Sequence, residues 1–332
     1  MAVEIETAPK ASGTKVRVWR LLALAGAAPA MASVAGYFGG AGWPLDLCSH
    51  FRVQYFVAMG ILALLMLMWR GRKMRLLAGG FAALAMVNLA VIVPMYFGRP
   101  ARGIAKELPI RAMLLNVNQS QGNPQRVVQV IGQINPDIVV LEEISGDWIS
   151  ELAPVLSAYP NRHSEPRDDN FGIIVLSKLP ILRSQTLYLG NAGLPSVLAE
   201  IQTPQGRCSI LATHPLPPGG GRYSQLRNEQ LSAVAAYARQ APRPLLLMGD
   251  LNTTPWSSHF AGLVRESGLR DSGRGFGVQP SWPAGNVFLR IPIDHCLHSA
   301  DIKIVERRIG PDSGSDHFPL IVDFRITALK PN

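Results

Sequence analysis

Hydrophobic positions in this chain fall into two regimes. In the first hundred residues they form three long uncharged runs, 21–45, 53–69 and 76–98, each bounded by a charged residue. Their lengths of 25, 17 and 23 residues bracket the roughly 20 that an α-helix needs to cross a bilayer. From Ile110 onward the runs shorten and alternate with amphipathic stretches. Short apolar segments predict strands over 112–115, 138–141, 172–176, 181–189, 196–201, 208–212, 245–248, 291–297, 302–309 and 320–326. Helices are predicted over 123–134, 148–157, 223–240 and 258–267. In the first, Asn123 can cap and Val127, Val130, Ile131 and Ile134 share one face. Strands and helices mixed in this order argue an α/β (α+β) layered sandwich. There is no internal repeat, GxGxxG fingerprint or Walker loop.

Composition and charge change the picture at the N-terminus. The chain has 332 residues, 48% hydrophobic and only 17% charged, with a net charge of +9. Up to Ile110 there are 12 Lys/Arg against 4 Asp/Glu; from Arg111 onward there are 20 against 19. The basic surplus therefore belongs to the apolar third, and the remainder lacks the electrostatic footprint of a polyanion binder. Four of the basic residues lie in Arg70-Gly71-Arg72-Lys73-Met74-Arg75, a loop that the positive-inside rule puts in the cytoplasm. The expected organisation is a cytoplasmic tail (1–20), a three-helix transmembrane region (21–98), a linker (99–109) and a globular domain (110–326) on the extracytoplasmic side of a bacterial-type inner or plasma membrane. For the first run a cleaved signal peptide ending near Ala30-Met31-Ala32 competes. The continuation through Val34 to Tyr37 favours a retained span. Three buried helices of a soluble bundle are the other competing reading. Cys48, Cys208 and Cys296 show no metal-finger spacing; a Cys208–Cys296 bridge fits the count, and two buried free thiols fit it better.

The candidate chemistry lies at the ends of the strands. Leu245 to Met248 reads as a doubly buried strand, followed by Gly249-Asp250-Leu251-Asn252 and stopped by Pro255. An ordinary Asx turn explains that window alone equally well. Other apolar runs end in Asn116/Asn118, Glu142/Glu143 and His214; Asp316/His317 precede the last strand, and Asp294 lies within another. So many polar groups on buried strands are costly unless they converge on one another or on an ion. His163, His259, His295 and His298 show no partner pattern and read as surface or outer positions.

Leu115-Asn116-Val117-Asn118, Pro136-Asp137 through Glu142-Glu143, Thr213-His214, Gly249-Asp250-Leu251-Asn252, Ile293-Asp294-His295 and Ser315-Asp316-His317, in this order, resemble the endonuclease/exonuclease/phosphatase superfamily. That group includes exonuclease III-like nucleases, inositol polyphosphate phosphatases and neutral sphingomyelinases. The anchor further resembles its bacterial membrane-bound members. The resemblance covers about residues 110–326 and implies a four-layer sandwich of two mixed β-sheets flanked by helices. It also implies Mg²⁺ or Mn²⁺ and phosphoester or phosphoanhydride cleavage by water. In that frame Glu143, Asn116 and Asp316 serve the metal, and Asp250 activates the water. Asn252 and His214 donate to phosphate oxygens, and His317, oriented by Asp294, contacts the scissile group. Glu142, where the family usually has Gln, is expected to point away. Asn118, Arg222, Arg227 and Trp282 are candidate substrate contacts. Bland readings stay open for Asn116 and Asn118 as turn formers, His214 as a packed loop residue, and Asp294 as a hydrogen-bond acceptor. The expected partners are the bilayer and a phosphorylated, lipid-linked or phospholipid-type substrate. Nucleic acid is disfavoured, a non-catalytic sensing domain is the reading from another class, and nothing specifies an oligomer.

Overall fold

The computed structural model describes residues 12–98 and 108–327. The residues 1–11 of the expected tail and 99–107 of the expected linker lie outside the described residues. The apolar third forms α1 (Ser12–Ala35), a 3₁₀ segment (Gly36–Ala41), α2 (Trp43–Ser49), α3 (Arg52–Met66), α4 (Arg72–Ile92) and a second 3₁₀ segment (Val93–Tyr96). Val18–Ala41 and Arg72–Tyr96 are long and apolar enough to cross a membrane, and α2 with α3 would make a third span bent by 66°. Two expectations change here. The first run does not continue as helix to residue 45: it breaks at Gly36, where a Cβ would meet the Cys48 carbonyl oxygen at 2.6 Å. Residues 43–49, where the first run gives way to the second, form helix α2, and part of the expected tail is the start of α1.

The remainder is two six-stranded mixed sheets packed face to face, with helices outside. The first contains β1 (Ile110–Asn116), β2 (Ile138–Glu142), β3 (Asn161–Glu165) and β4 (Ile173–Ser177), completed by the late strands β11 (Ile302–Ile309) and β12 (Leu320–Ile326) in the order β11-β12-β1-β2-β4-β3. The second contains β5 (Ile181–Tyr188), β6 (Pro195–Thr203), β7 (Gly206–Thr213), β8 (Leu245–Asp250), β9 (Arg270–Asp271) and β10 (Asp294–His298), in the order β5-β6-β7-β8-β10-β9. Helices α5 (Pro124–Ile134), α6 (Gly146–Glu151) and α7 (Ala153–Leu156) cover the first sheet; α8 (Gly221–Gln240) and α9 (Ser258–Ser267) cover the second.

Side-chain alternation explains the layering. Leu114, Val140, Ile210, Met248 and Cys296 point between the sheets into one core, while Met113, Leu115, Val139 and Leu141 point outward onto α5. Strands buried on both faces read as continuous apolar runs, which is why most were legible. Strands β3, with the polar sequence Asn161-Arg162-His163-Ser164-Glu165, and the two-residue β9 carry no such signal. Cys208 and Cys296 are buried free thiols.

Candidate active site

The same alternation decides which polar side chains enter the site. Counting by twos along each strand from the inter-sheet core reaches Asn116, Glu142, His214, Asp250 and Asp294 at one end of the sandwich. All five are at most 3% exposed. Asp250 and Asp294 are direct cross-strand partners in the β8–β10 ladder, and Asn116 pairs with Glu142 across β1–β2. The expectation that Glu142 points away is therefore wrong. Glu142 lies on the inter-sheet face, where its Oε2 accepts the Asp250 N–H at 2.8 Å. Glu143 joins it because its backbone is left-handed, φ +62°, which breaks the alternation. Asn118 and Asn252 are left-handed as well; Asn tolerates that region better than most residues. Gly249 is part of strand β8 and makes no turn; a Cβ there would meet the Thr213 carbonyl oxygen at 1.9 Å, so the requirement is close approach.

The Asp250 Oδ2 atom is the hub. It lies 3.4 Å from Asn116 Nδ2, 3.6 Å from His317 Nε2 and 3.7 Å from His214 Nε2, while Oδ1 accepts the Asn252 N–H at 2.9 Å. His317 donates from Nδ1 to Asp294 Oδ2 at 2.9 Å. Its segment is stitched to β1 by Ser315, whose hydroxyl donates to the Asn116 carbonyl at 2.7 Å. Glu143 accepts from Asn116 Nδ2 at 2.9 Å and from the Gln119 N–H at 3.1 Å. Asp316 accepts from Asn118 Nδ2 and from the Trp282 indole, each at 2.9 Å. Asn252 donates to the Pro215 carbonyl at 3.0 Å and approaches His214 Nε2 at 3.3 Å. Asn116, Glu143, His214, Asp250, Asn252, Asp316 and His317, with Phe171, Tyr223 and Trp282, line a cleft of about 330 Å³. Larger hollows exist, but the convergent polar groups are here.

Burial and mutual charge set the protonation states. Burial raises Asp250 to about 7, with His317 opposing and Asp294 assisting. Burial also lifts Glu142 well above its ordinary value, with Asp250 adding to the push. Glu143 is raised by burial against the bonds from Asn116 and Gln119. Burial works to lower His317, but Asp294 and Asp250 prevail and raise it to about 9. The reverse contest leaves Asp294 below its ordinary value. Burial and His317 lower His214 to about 3, so it is neutral. The result is one imidazolium among carboxylates, flanked by a carboxyl poised near neutrality.

Of the candidate substrate contacts, Asn118 and Trp282 reach the site and two arginines do not. Arg222 is exposed and bonds its own helix through Gln225. Arg227 is fully buried: Nη2 pairs with Asp46 Oδ2 at 2.5 Å and Nη1 donates to the Asn252 carbonyl at 2.9 Å. It supports the Asn252 loop from behind. The i, i+3, i+4 pattern around Ser224, Arg227, Leu231 and Val234 could have revealed its inward face. Its partner, half a chain away, carries no sequence signal. Phe171, whose ring sits 5.2 Å from that of His214, was also not anticipated. Of the unassigned histidines, His295 is buried with Nε2 donating to the Thr253 carbonyl at 2.8 Å, and His298 is buried; His163 and His259 bond neighbouring side chains.

The fold and this constellation define a member of a known class. The sequence profile of the endonuclease/exonuclease/phosphatase family matches residues 113–317, more than half of the chain, and the chain belongs to that family. Its members are typically phosphoester hydrolases. Among solved structures, an endonuclease/exonuclease/phosphatase from Beutenbergia cavernae is 23% identical with a TM-score of 0.56, covering 67% of this chain and 72% of that one. The human nocturnin catalytic domain, solved with a bound sulfate anion, is 18% identical with a TM-score of 0.55, covering 66% and 95%. Sphingomyelinase C from Streptomyces griseocarneus is 17% identical with a TM-score of 0.50, covering 65% and 99%. Among curated proteins, no sequence matches. At these identities the likeness establishes the fold.

Proposed function

We propose that the chain is a membrane-anchored, extracytoplasmic, divalent-metal-dependent phosphohydrolase acting on a lipid-linked phosphate or pyrophosphate or a phospholipid-type ester. The observation that carries this reading is the join between cleft and anchor: Arg227, which holds the Asn252 carbonyl, is paired to Asp46 at the foot of the apolar helices. A cleft built on its own anchor meets substrates that share the bilayer at high effective concentration. The near-neutral charge of residues 111–332 disfavours the competing reading, a tethered nuclease.

The donor set fits a hard divalent cation. Glu143 and Asp316 present carboxylate oxygens, Asn116 turns its amide nitrogen to Glu143 while its Oδ1 accepts the Asn118 N–H at 3.0 Å, and the surrounding carboxylates outnumber the single imidazolium. Glu143 and Asp316 would hold it, with Asn116 beside them. The bound ion would supply charge neutralisation for phosphate oxygens. Asp250, Asp294 and His317 also offer ligand atoms within 4.8 Å of one another, but His317 Nδ1 is spent on Asp294, so that trio reads as a hydrogen-bonded relay. Asp250 takes the proton of the attacking water, which its value of about 7 suits. His317, protonated, presents Nε2–H to a non-bridging phosphate oxygen, and Asp294 keeps it charged. Asn252, which donates to the Pro215 carbonyl, also meets His214 Nε2 at the phosphate side.

The test is hydrolysis by the detergent-solubilised chain of a polyprenyl pyrophosphate, a sphingomyelin-type diester and plasmid DNA, read as free phosphate, phosphocholine and strand nicks respectively, with Asp250→Asn as the blank. Release from a lipid, abolished by EDTA and restored by Mg²⁺ or Mn²⁺, is expected. Turnover of DNA alone, or activity that survives EDTA, would sink the proposal.

A further inference from the structure

On the far side of the loop that follows Asn252 lies a second cavity, of about 530 Å³, walled by the ends of α1 and α4 and by residues 255–258. Its walls are apolar at Val91, Met95 and Trp256, and cationic at Arg52, Arg265 and Arg274. Arg52 is 2% exposed. Its Nη1 donates to the Ser33 carbonyl at 2.8 Å and to Asn88 Oδ1 at 3.3 Å, and the Tyr37 ring stacks 3.9 Å below the guanidinium. Its Nε is buried with no partner. Among the described residues Arg52 makes no ion pair, and the nearby carboxylate, Asp46, is taken by Arg227 and Ser257. A guanidinium cannot neutralise itself by losing a proton. Left without a counter-charge, it makes burial expensive.

The remaining lining charges do not supply that anion. Arg274 is exposed and makes no ion pair among the described residues, while Arg265 is satisfied by Glu266. Asp271, the one carboxylate in the wall, accepts the Gly273 N–H at 2.8 Å and faces the buried Arg307. Two guanidiniums without an ion pair among the described residues therefore border one hollow whose remaining lining mixes apolar Val91, Met95 and Trp256 with Ser257, Ser258, Arg265 and Asp271. On the membrane reading, on which this step rests, the hollow sits at the outer boundary of the bilayer. Tyr37 Oη bonds the Val87 carbonyl at 3.1 Å there, and the exposed aromatics Tyr37, Phe38, Tyr96 and Phe97 gather at the ends of the two spans. A basic pocket among spans at headgroup depth suits an anionic lipid.

We infer that this cavity binds the phosphate headgroup of an anionic phospholipid, between Arg52 and Arg274, with acyl chains lying along the exposed Val34 and Val87. Such a lipid is a resident brace and not the substrate, because the cavity lies behind the Asn252 loop and the catalytic cleft lies in front of it. The occupant bridges α1 and α4 to residues 255–258 and so stiffens the loop that carries Asn252.

The full chain is reconstituted in nanodiscs of phosphatidylcholine alone and of phosphatidylcholine mixed with phosphatidylglycerol. The mixed discs should raise Tm by about 2–4 °C, and native mass spectrometry should find one phosphatidylglycerol retained. Arg274→Gln, an exposed and fold-neutral change, should abolish both effects and leave Tm in neutral discs unchanged. Arg52→Gln should also abolish both effects, on top of a change of its own in neutral-disc Tm, because Arg52 is buried and holds the Ser33 carbonyl and Asn88. Inorganic phosphate added to neutral discs should give no shift; an equal shift would mean a free-anion site and overturn the lipid assignment. Carbonate extraction of membranes separates the two readings. A chain stripped by carbonate overturns the membrane reading and this inference with it. A chain that stays integral yet shows neither shift nor retained lipid overturns this inference alone.

Discussion

His317 and Asp250 share one end of the sandwich, and both hold their protons more tightly than usual, which leaves them opposite limits on activity. Asp250 is a base only when ionised, so activity rises as pH climbs through about 7. His317 is a donor only when protonated, so activity falls as pH climbs through about 9. The rate–pH profile is a bell between those limits, and a bound divalent cation moves the acid limb down by favouring carboxylate. Asp294→Asn removes the charge that holds His317 up, so the alkaline limb should shift toward the ordinary histidine value near 6.5. kcat should drop about 10²-fold or more; an unmoved alkaline limb would show that Asp294 does not act through His317. Glu142 supplies a second test. Burial disfavours its charge and its Oε2 accepts the Asp250 N–H, a role an amide oxygen can fill, so Glu142→Gln should leave Tm and kcat nearly unchanged. Glu142→Ala orphans that N–H and should cost about 1–3 kcal/mol in chemical denaturation. The reading that turned Glu142 outward failed for a local reason. Which of two adjacent glutamates faces in depends on the strand's phase and on one left-handed residue, and neither is written in a Glu-Glu pair.

Strand ends and one helix carry the next level. The apolar runs marked β1, β2, β7, β8, β10 and β12, which bear or adjoin the site residues, because strands buried on two sides must be apolar throughout. What they could not mark was the contact between α2 and α8. Asp46 and Arg227 are 181 positions apart, and each alone reads as an ordinary surface charge. Their pair is fully buried, extended by Ser257 Oγ to Asp46 at 2.7 Å and by Arg227 to the Asn252 carbonyl. His50, at the end of α2, adds a bond to Thr254 Oγ1 at 3.0 Å. The pair's effect on the site runs through the backbone of Asn252, whose φ of +49° needs external support. Breaking it by Arg227→Met or by Asp46→Asn should reduce kcat about tenfold or more while leaving KM little changed. The charge swap Asp46→Arg with Arg227→Asp should recover part of that loss. A double-mutant cycle on the full chain should give a coupling of about 1–3 kcal/mol, and simple additivity would show that the two residues act separately.

At the scale of the whole molecule, the apolar helices and the two-sheet unit share one interface. Besides the Asp46–Arg227 pair, Gln54 Nε2 donates to the Arg290 carbonyl at 3.0 Å, and the Trp256 indole donates to the Val91 carbonyl at 3.2 Å. The N–H groups of Gly275 and Gly277 donate to the Met95 carbonyl at 2.8 and 3.0 Å. Sequence reading pictured a domain on a short tether, because a proline-bearing linker is visible in composition and cross-domain hydrogen bonds are not. The difference has a measurable consequence. A fragment of residues 108–332 keeps both sheets but strips Arg227 of its carboxylate inside a buried site. An unpaired buried charge costs about 3–5 kcal/mol, which for a domain of this size lowers Tm by roughly 6–20 °C. The fragment should also turn over a soluble aryl phosphodiester more slowly than the full chain in detergent, although that substrate needs no membrane. Arg227→Met should restore Tm to the fragment while destabilising the full chain, because only the full chain has Asp46 to leave unpaired. Equal Tm and equal turnover for fragment and full chain would mean that the helices only tether the domain.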